Sequence, residues 1–208
     1  MSSRLIRFFL RVLIVVTIIT VICGIWNVGS AGKIYAKAWL AETLLEEAWQ
    51  RTLDGEQNVR PWLWADTWPV AELIVPRLGL RRIVLSGDSG RVLAFSPGYS
   101  EASTLPGTHG NTIISGHRDT HFKFLKEIKN GDRIELKTSK DHLVYIVSEQ
   151  VVVDQRYFSL DAQPDFQVEN QPEDQALNSS LILVTCYPFD TMQSGGNDRY
   201  LIVAEQSE

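Results

Sequence analysis

Hydrophobic and polar positions follow three rhythms along the 208 residues. Near the N-terminus the apolar positions are continuous. From Phe8 through VLIVVTIITVICGIW the run reaches the ~20 residues a helix needs to cross a bilayer. From Lys33 to about Leu53, apolar residues recur at a spacing of roughly 3.5 (Ile34, Ala38, Ala41, Leu45, Ala48), which predicts an amphipathic helix. Gly55 and Pro61 end it. After Trp68 the runs are short and rich in β-branched residues: VAELIV, RRIVL, RVLAF, NTIISG, DRIELKT, HLVYIVSEQVVV, SLILVTC and RYLIVAE. Eight such runs, punctuated by Gly, Pro or Asp, predict an all-β barrel or sandwich. One short helix interrupts them, with Asp119 as its cap, Leu125 and Ile128 on its buried face and Asn130-Gly131 as its stop. Two loops stand out, residues 154 to 179, long and acidic, and YPFDTMQSGGND between the last two runs.

Charge gives the first segment a direction. Arg4, Arg7 and Arg11 lie at its N-terminal side, which keeps that end in the cytoplasm and sends the rest outward. Arg11 can snorkel toward the headgroups. A cleaved signal peptide shares the basic start and apolar run, and Ser30-Ala31-Gly32 offers small residues for cleavage. The length of the run and its continuation into a helix favour an uncleaved anchor. The chain then divides into an anchor with a short cytoplasmic tail (1–32), a helical linker (33–60) and an extracytoplasmic domain (61–208). Beyond the anchor, 17 basic residues stand against 25 acidic ones, a net charge of −8 that argues against nucleic acid or anionic headgroups as partners.

Composition adds one chemical question. Cys23 lies inside the apolar span and Cys186 far along the outer domain, so no intramolecular disulfide is expected. An unpaired thiol in an oxidising compartment calls for a reason. Cys186 ends SLILVTC, His117 ends NTIISGH and Arg199 opens RYLIVAE, so each reactive group stands at the end of a predicted strand. If the last two strands pair antiparallel, Cys186 and Arg199 share a rim. A thiolate is the attacking species, and a neighbouring imidazolium or guanidinium favours it over a thiol of free pKa ~8.5. His117 can give a proton to a departing amine and take one from an incoming nucleophile. Arg199 keeps its charge and presents a fork of donors to a carbonyl or oxyanion.

The segments GHRDTHF, LVTCYPF and DRYLIVAE, in that order and with Arg199 thirteen residues after Cys186, resemble the signature segments of the sortases, membrane-anchored cysteine transpeptidases of bacterial surfaces. The resemblance runs from about Val70 to Ala204. It implies a closed eight-stranded β-barrel with short helices, preceded by the transmembrane and amphipathic helices. It also implies that His117, Cys186 and Arg199 are the catalytic residues, with Thr185 and Tyr187 as candidates for substrate binding. The implied reaction cleaves a Leu-Pro-x-Thr-Gly-like sorting motif near the C-terminus of a secreted protein, through a thioester on Cys186 that an amine at the cell surface resolves. No cofactor is implied. The chain shows neither a second hydrophobic span nor a clear Asp-Pro-aromatic lid, so pilin-polymerising members are a weaker match.

Other readings remain in view. His117, His121 and Cys186 would make a three-ligand zinc site, yet HRDTH lacks the glutamate of HExxH and the helix is expected to start after His117, so no metal is expected. Papain-like enzymes place the cysteine before the histidine, and L,D-transpeptidases join both in one SHGC-like segment. The alternative from another class is a non-catalytic or metal-binding surface barrel that binds peptides. His109 and His142 are read as solvated turn residues, TLPGTHG as a turn, and WLWADTWP as packing against the barrel wall.

Overall fold

A computed structural model describes residues 3–156, 179–190 and 196–207, with the side chains of 3–7, 28–31 and 34 excepted. Most of the acidic stretch expected as a loop between 154 and 179, and 191–195 of the final loop, lie outside the described residues. The chain forms two compact units, Met1–Thr43 and Leu44–Glu208. Helix α1 (Ser3–Leu53) is unbroken through residues 32 and 33. Within it Phe8–Asn27 is long and apolar enough to span a membrane, and its side chains are exposed. The expected amphipathic stripe is buried only toward its end, at Leu45, Ala48 and Trp49, while Ala38 is exposed. The reason is local: Leu45, Ala48 and Trp49 belong to the second unit, and within it Leu85 and Val92 cover Leu45.

The second unit is a closed barrel. Its strands are β1 (Pro69–Val75), β2 (Leu80–Ser86), β3 (Gly98–Tyr99), β4 (Gly110–Ser115), β5 (Arg133–Lys137), β6 (His142–Asp154), β7 (Ser179–Tyr187) and β8 (Asp198–Gln206). They close in the order β1-β2-β3-β4-β7-β8-β6-β5, with β2–β3 and β4–β7 parallel and the other pairs antiparallel. Closure removes the open edges that so much β-branched sequence would otherwise expose. Alternation fills the interior: Leu73, Val75, Val84, Ile114, Ile134, Leu136, Tyr145, Leu181, Leu183, Ile202 and Ala204 belong to one core.

Seven of the eight expected runs are strands. RVLAF is not: Gly90–Leu93 forms a single helical turn, α2, because one residue, Val92, is drawn inward against Leu45 and Leu85 while Phe95 faces outward beside Trp62. The strand position next to β2 falls instead to Gly98–Tyr99, where a Cβ on residue 98 would collide with the Gly87 carbonyl oxygen. The short helix is a 3-10 turn over Lys123–Glu127, preceded by Phe122. Leu125 and Ile128 are buried as expected, but Asp119 caps nothing, since its carboxylate is held by Arg118. WLWADTWP packs only in part: Trp62 lies against the core, whereas Leu63 and Trp64 are 92% and 82% exposed. TLPGTHG is a turn closed by Thr108 on the Leu105 carbonyl, and His142 opens β6 with its ring 2.8 Å from Glu135.

A buried carboxylate ties the barrel's lower turns together. Arg77 donates to both oxygens of Asp132 at 2.7 Å, and the Lys129 amide adds a third bond at 2.7 Å. Chiefly through Arg77, these bonds hold the Asp132 carboxyl below its usual range. A depressed folded-state pKa stabilises the fold above the unfolded value, and the gain is lost as pH falls through the folded value. Asp132→Asn is therefore expected to lower Tm by about 5 °C at pH 7, with a deficit that shrinks on acidification; thermal melts across pH 3 to 7 check it.

Candidate active site

Three neighbouring strands, β4, β7 and β8, bring the expected residues to one level. In the parallel β4–β7 ladder Ser115 pairs with Val184. The pairing continues past the end of β4, because the Gly116 amide donates to the Val184 carbonyl at 3.0 Å and the Thr185 hydroxyl to the Gly116 carbonyl at 2.7 Å. His117 thus leaves β4 abreast of Cys186. On the other side Cys186 is directly paired with Arg199, about 5 Å apart at Cα in such a ladder.

The same alternation assigns the face. Leu181, Leu183, Ile202 and Ala204 point into the barrel, so Ile182, Val184, Cys186, Leu201 and Arg199 occupy its outer side. There Ile113, Ile182, Val184 and Leu201, with Val153 beside them, form a second apolar cluster that leads along the strands to Cys186. Cys186 is half-buried and His117 exposed. Those four side chains are buried, which fixes the strands that carry the thiol, while the thiol itself remains reachable.

Behind the sulfur, the inward face is filled. Tyr187, Phe189 and Tyr200 form an aromatic cluster with centroids 5.1 to 6.2 Å apart, and the Tyr200 hydroxyl donates to Gln150 at 2.6 Å. Thr185 is buried on its bond to Gly116. Both residues that flank Cys186 therefore turn their side chains away from its face, and Thr185 sets the height of the His117 strand end.

Arg199 is half-buried, and its fork is engaged. Nη1 donates to the carbonyls of Gly196 at 2.8 Å and Asp198 at 3.0 Å, and Nη2 to the side-chain carbonyl of Gln155. Gln155 is in turn fixed by its amide on the Asn197 carbonyl at 2.7 Å. Gly196 lies so close to the Tyr187 carbonyl that a Cβ would collide with it. Gly196, just before β8, is thereby held against the chain leaving Cys186.

Two residues escape a reading of strand ends alone. Arg118 is buried beside the site, and Gln155 orders Arg199. The GHRD neighbourhood is the signal for the first; Gln155, just past β6, carries none in sequence. His121 does not join His117: it bonds the Ala94 backbone, and burial pushes its pKa down. Among the described residues no three His, Cys, Asp or Glu side chains converge as metal ligands would.

The profile of the sortase domain matches residues 73–207. Sortase D of Bacillus subtilis (strain 168) is 27% identical over 134 residues, covering 64% of this chain and 62% of that protein. The chain thus matches less than two thirds of the length of that relative. Among solved structures, a Clostridium perfringens Sortase D5 transpeptidase is 26% identical over 78% of this chain and 89% of its own, with a TM-score of 0.52. Sortase A from Corynebacterium diphtheriae, 21% identical over 81% and 84% of the two chains, shares the fold at a TM-score of 0.55.

Proposed function

The chain belongs to the sortase family, and from that premise we propose that it is a membrane-anchored cysteine transpeptidase acting on secreted proteins that carry a C-terminal sorting motif. The observation that carries this reading is the alignment of His117, Cys186 and Arg199 across three adjacent strands at one rim.

In the proposed reaction the Cys186 thiolate attacks the carbonyl carbon of the scissile bond of an LPxTG-like motif. The carbonyl π pair moves to oxygen and forms a tetrahedral oxyanion, for which the Tyr187 backbone N–H and Arg199 are the candidate donors. Collapse restores the carbonyl, breaks the C–N bond and leaves a thioester on Cys186; the imidazolium of His117 gives its proton to the departing amine. An acceptor amine then attacks the thioester, neutral His117 takes its proton, and Cys186 departs as thiolate. Among the described residues, Gly196, Asp198 and Gln155 take three of the five N–H donors of Arg199, which leaves two for a carbonyl of the peptide. Thr185 contributes by holding the histidine strand end in place.

The proposed division follows the sequence: anchor 1–32 with its N-terminus in the cytoplasm, linker 33–60 and catalytic barrel 61–208 outside the membrane. One experiment tests the chemistry. Incubated with an LPxTG peptide and no amine, the protein is expected to gain the mass of the acyl fragment on the peptide containing Cys186, and hydroxylamine should release it. A mass spectrum with cleaved peptide but no hydroxylamine-labile adduct would sink the thioester.

A further inference from the structure

Arg118 has no part in the chemistry above, yet its position is unusual. It is 6% exposed while the carboxylate it pairs with, Asp119, is 67% exposed. An arginine is rarely drawn inside unless it is held on several sides. Nε and Nη2 donate to the two Asp119 oxygens at 3.0 and 3.2 Å, and Nη1 donates to the Pro188 carbonyl at 2.7 Å. The first pair of bonds stays on the chain leaving β4, one residue after His117. The other crosses to the chain leaving β7, two residues after Cys186.

We propose that Arg118 is a positioning residue of this site, which clamps the strand end bearing His117 to the loop following Cys186 and sets a permanent positive charge beside the sulfur. The assignment rests on Cys186 being the nucleophile. Its support is geometric: the guanidinium bridges the two exits, and its place is set by burial. Arg199, across the ladder, has both terminal nitrogens engaged by Gly196, Asp198 and Gln155. Electrostatics agrees. Arg118 is held protonated chiefly by its bonds to Asp119, against the opposing effect of burial, with smaller electrostatic contributions from Asp119 and Cys186. Among the described residues, the charged and titratable groups at this end of the strands include His117, Arg118, Asp119 and Lys123 from the chain after β4, Tyr187 and Asp190 from β7 and its exit, and Asp198 and Arg199 from β8.

The test uses the full chain in detergent with Cys23→Ser, so that Cys186 is the one thiol, and reads three quantities: the pH midpoint of alkylation by iodoacetamide, kcat and KM on a sorting-motif peptide, and Tm. Arg118→Met is expected to raise the midpoint by about one pH unit, since an opposite charge near a thiolate favours it. It should also lower kcat about a hundredfold with little change in KM, as the imidazole and sulfur lose their fixed separation. Arg118→Lys keeps the charge and so the midpoint, but an ammonium cannot hold two partners in a planar fork, and kcat should recover only in part. A folded Arg118→Met with the original midpoint overturns the proposal. Should that variant unfold, Arg118→Lys decides: reduced kcat at an unchanged midpoint supports the clamp, and undiminished kcat refutes it. Turnover surviving in Cys186→Ala would instead remove the nucleophile assignment, and with it the premise; turnover lost there but intact in Arg118→Met removes this inference alone.

Discussion

Cys186→Ala is expected to abolish turnover of a sorting-motif peptide, by about a thousandfold or more, while leaving the barrel folded. The two halves of that expectation have separate causes. The sulfur is the proposed site of the covalent bond, and no side chain at that level on the outer face offers a second thiol; Cys23, the other cysteine, lies in the apolar span of α1. Its structural share is small, because Cys186 is half-buried at the end of β7 and the backbone ladder with β8 does not depend on it. The loss of stability should stay within about 1 kcal/mol. Chromatographic assay of peptide and amine product, with a thermal melt alongside, separates the two. A barrel that only binds peptides would show no turnover to lose.

Gly116→Ala should damage both fold and activity although it touches no reacting atom. A Cβ at that position would lie 2.6 Å from Cγ of Phe122 and 2.7 and 2.9 Å from its Cδ atoms, and the ring is fully buried. Two hydrogen bonds to β7 hold Gly116 itself, so the added methyl must push either the ring or the strand end that carries His117. Overpacking of this kind costs about 1–3 kcal/mol. A displacement of the imidazole by about 1 Å can lower turnover about a hundredfold. Adding Phe122→Leu, which narrows the opposing side chain, should restore part of the activity. Undiminished turnover in the single variant would mean that the ring yields and the histidine does not depend on this contact.

How legible the molecule was depends on the range of each signal. Apolar, β-branched runs are a local signal, so VAELIV, NTIISG, SLILVTC and RYLIVAE disclosed their strands. RVLAF misled because one apolar residue drawn under a helix end, Val92, looks like part of a strand until its partners Leu45 and Leu85 are known. Asp119 misled for a similar reason: its sequence position suits a cap, but a guanidinium next to it binds the carboxylate first. The reactive types at strand ends could be found without coordinates. Gln155 could not, because its role depends on a group from another strand, and the sequence marked Arg118 only as the neighbour of His117.

By itself, the sequence determined an apolar span, a series of strands, and three chemically apt residues at strand ends, because hydrophobic periodicity and side-chain chemistry are properties of neighbours along the chain. Only the tertiary structure decided that His117 stands abreast of Cys186, that Arg118 bridges their two exits and that the Arg199 fork turns toward the β7–β8 connection. Those facts arise from the parallel pairing of β4 with β7 and the closure of the barrel, contacts between segments far apart in sequence whose register no local pattern specifies.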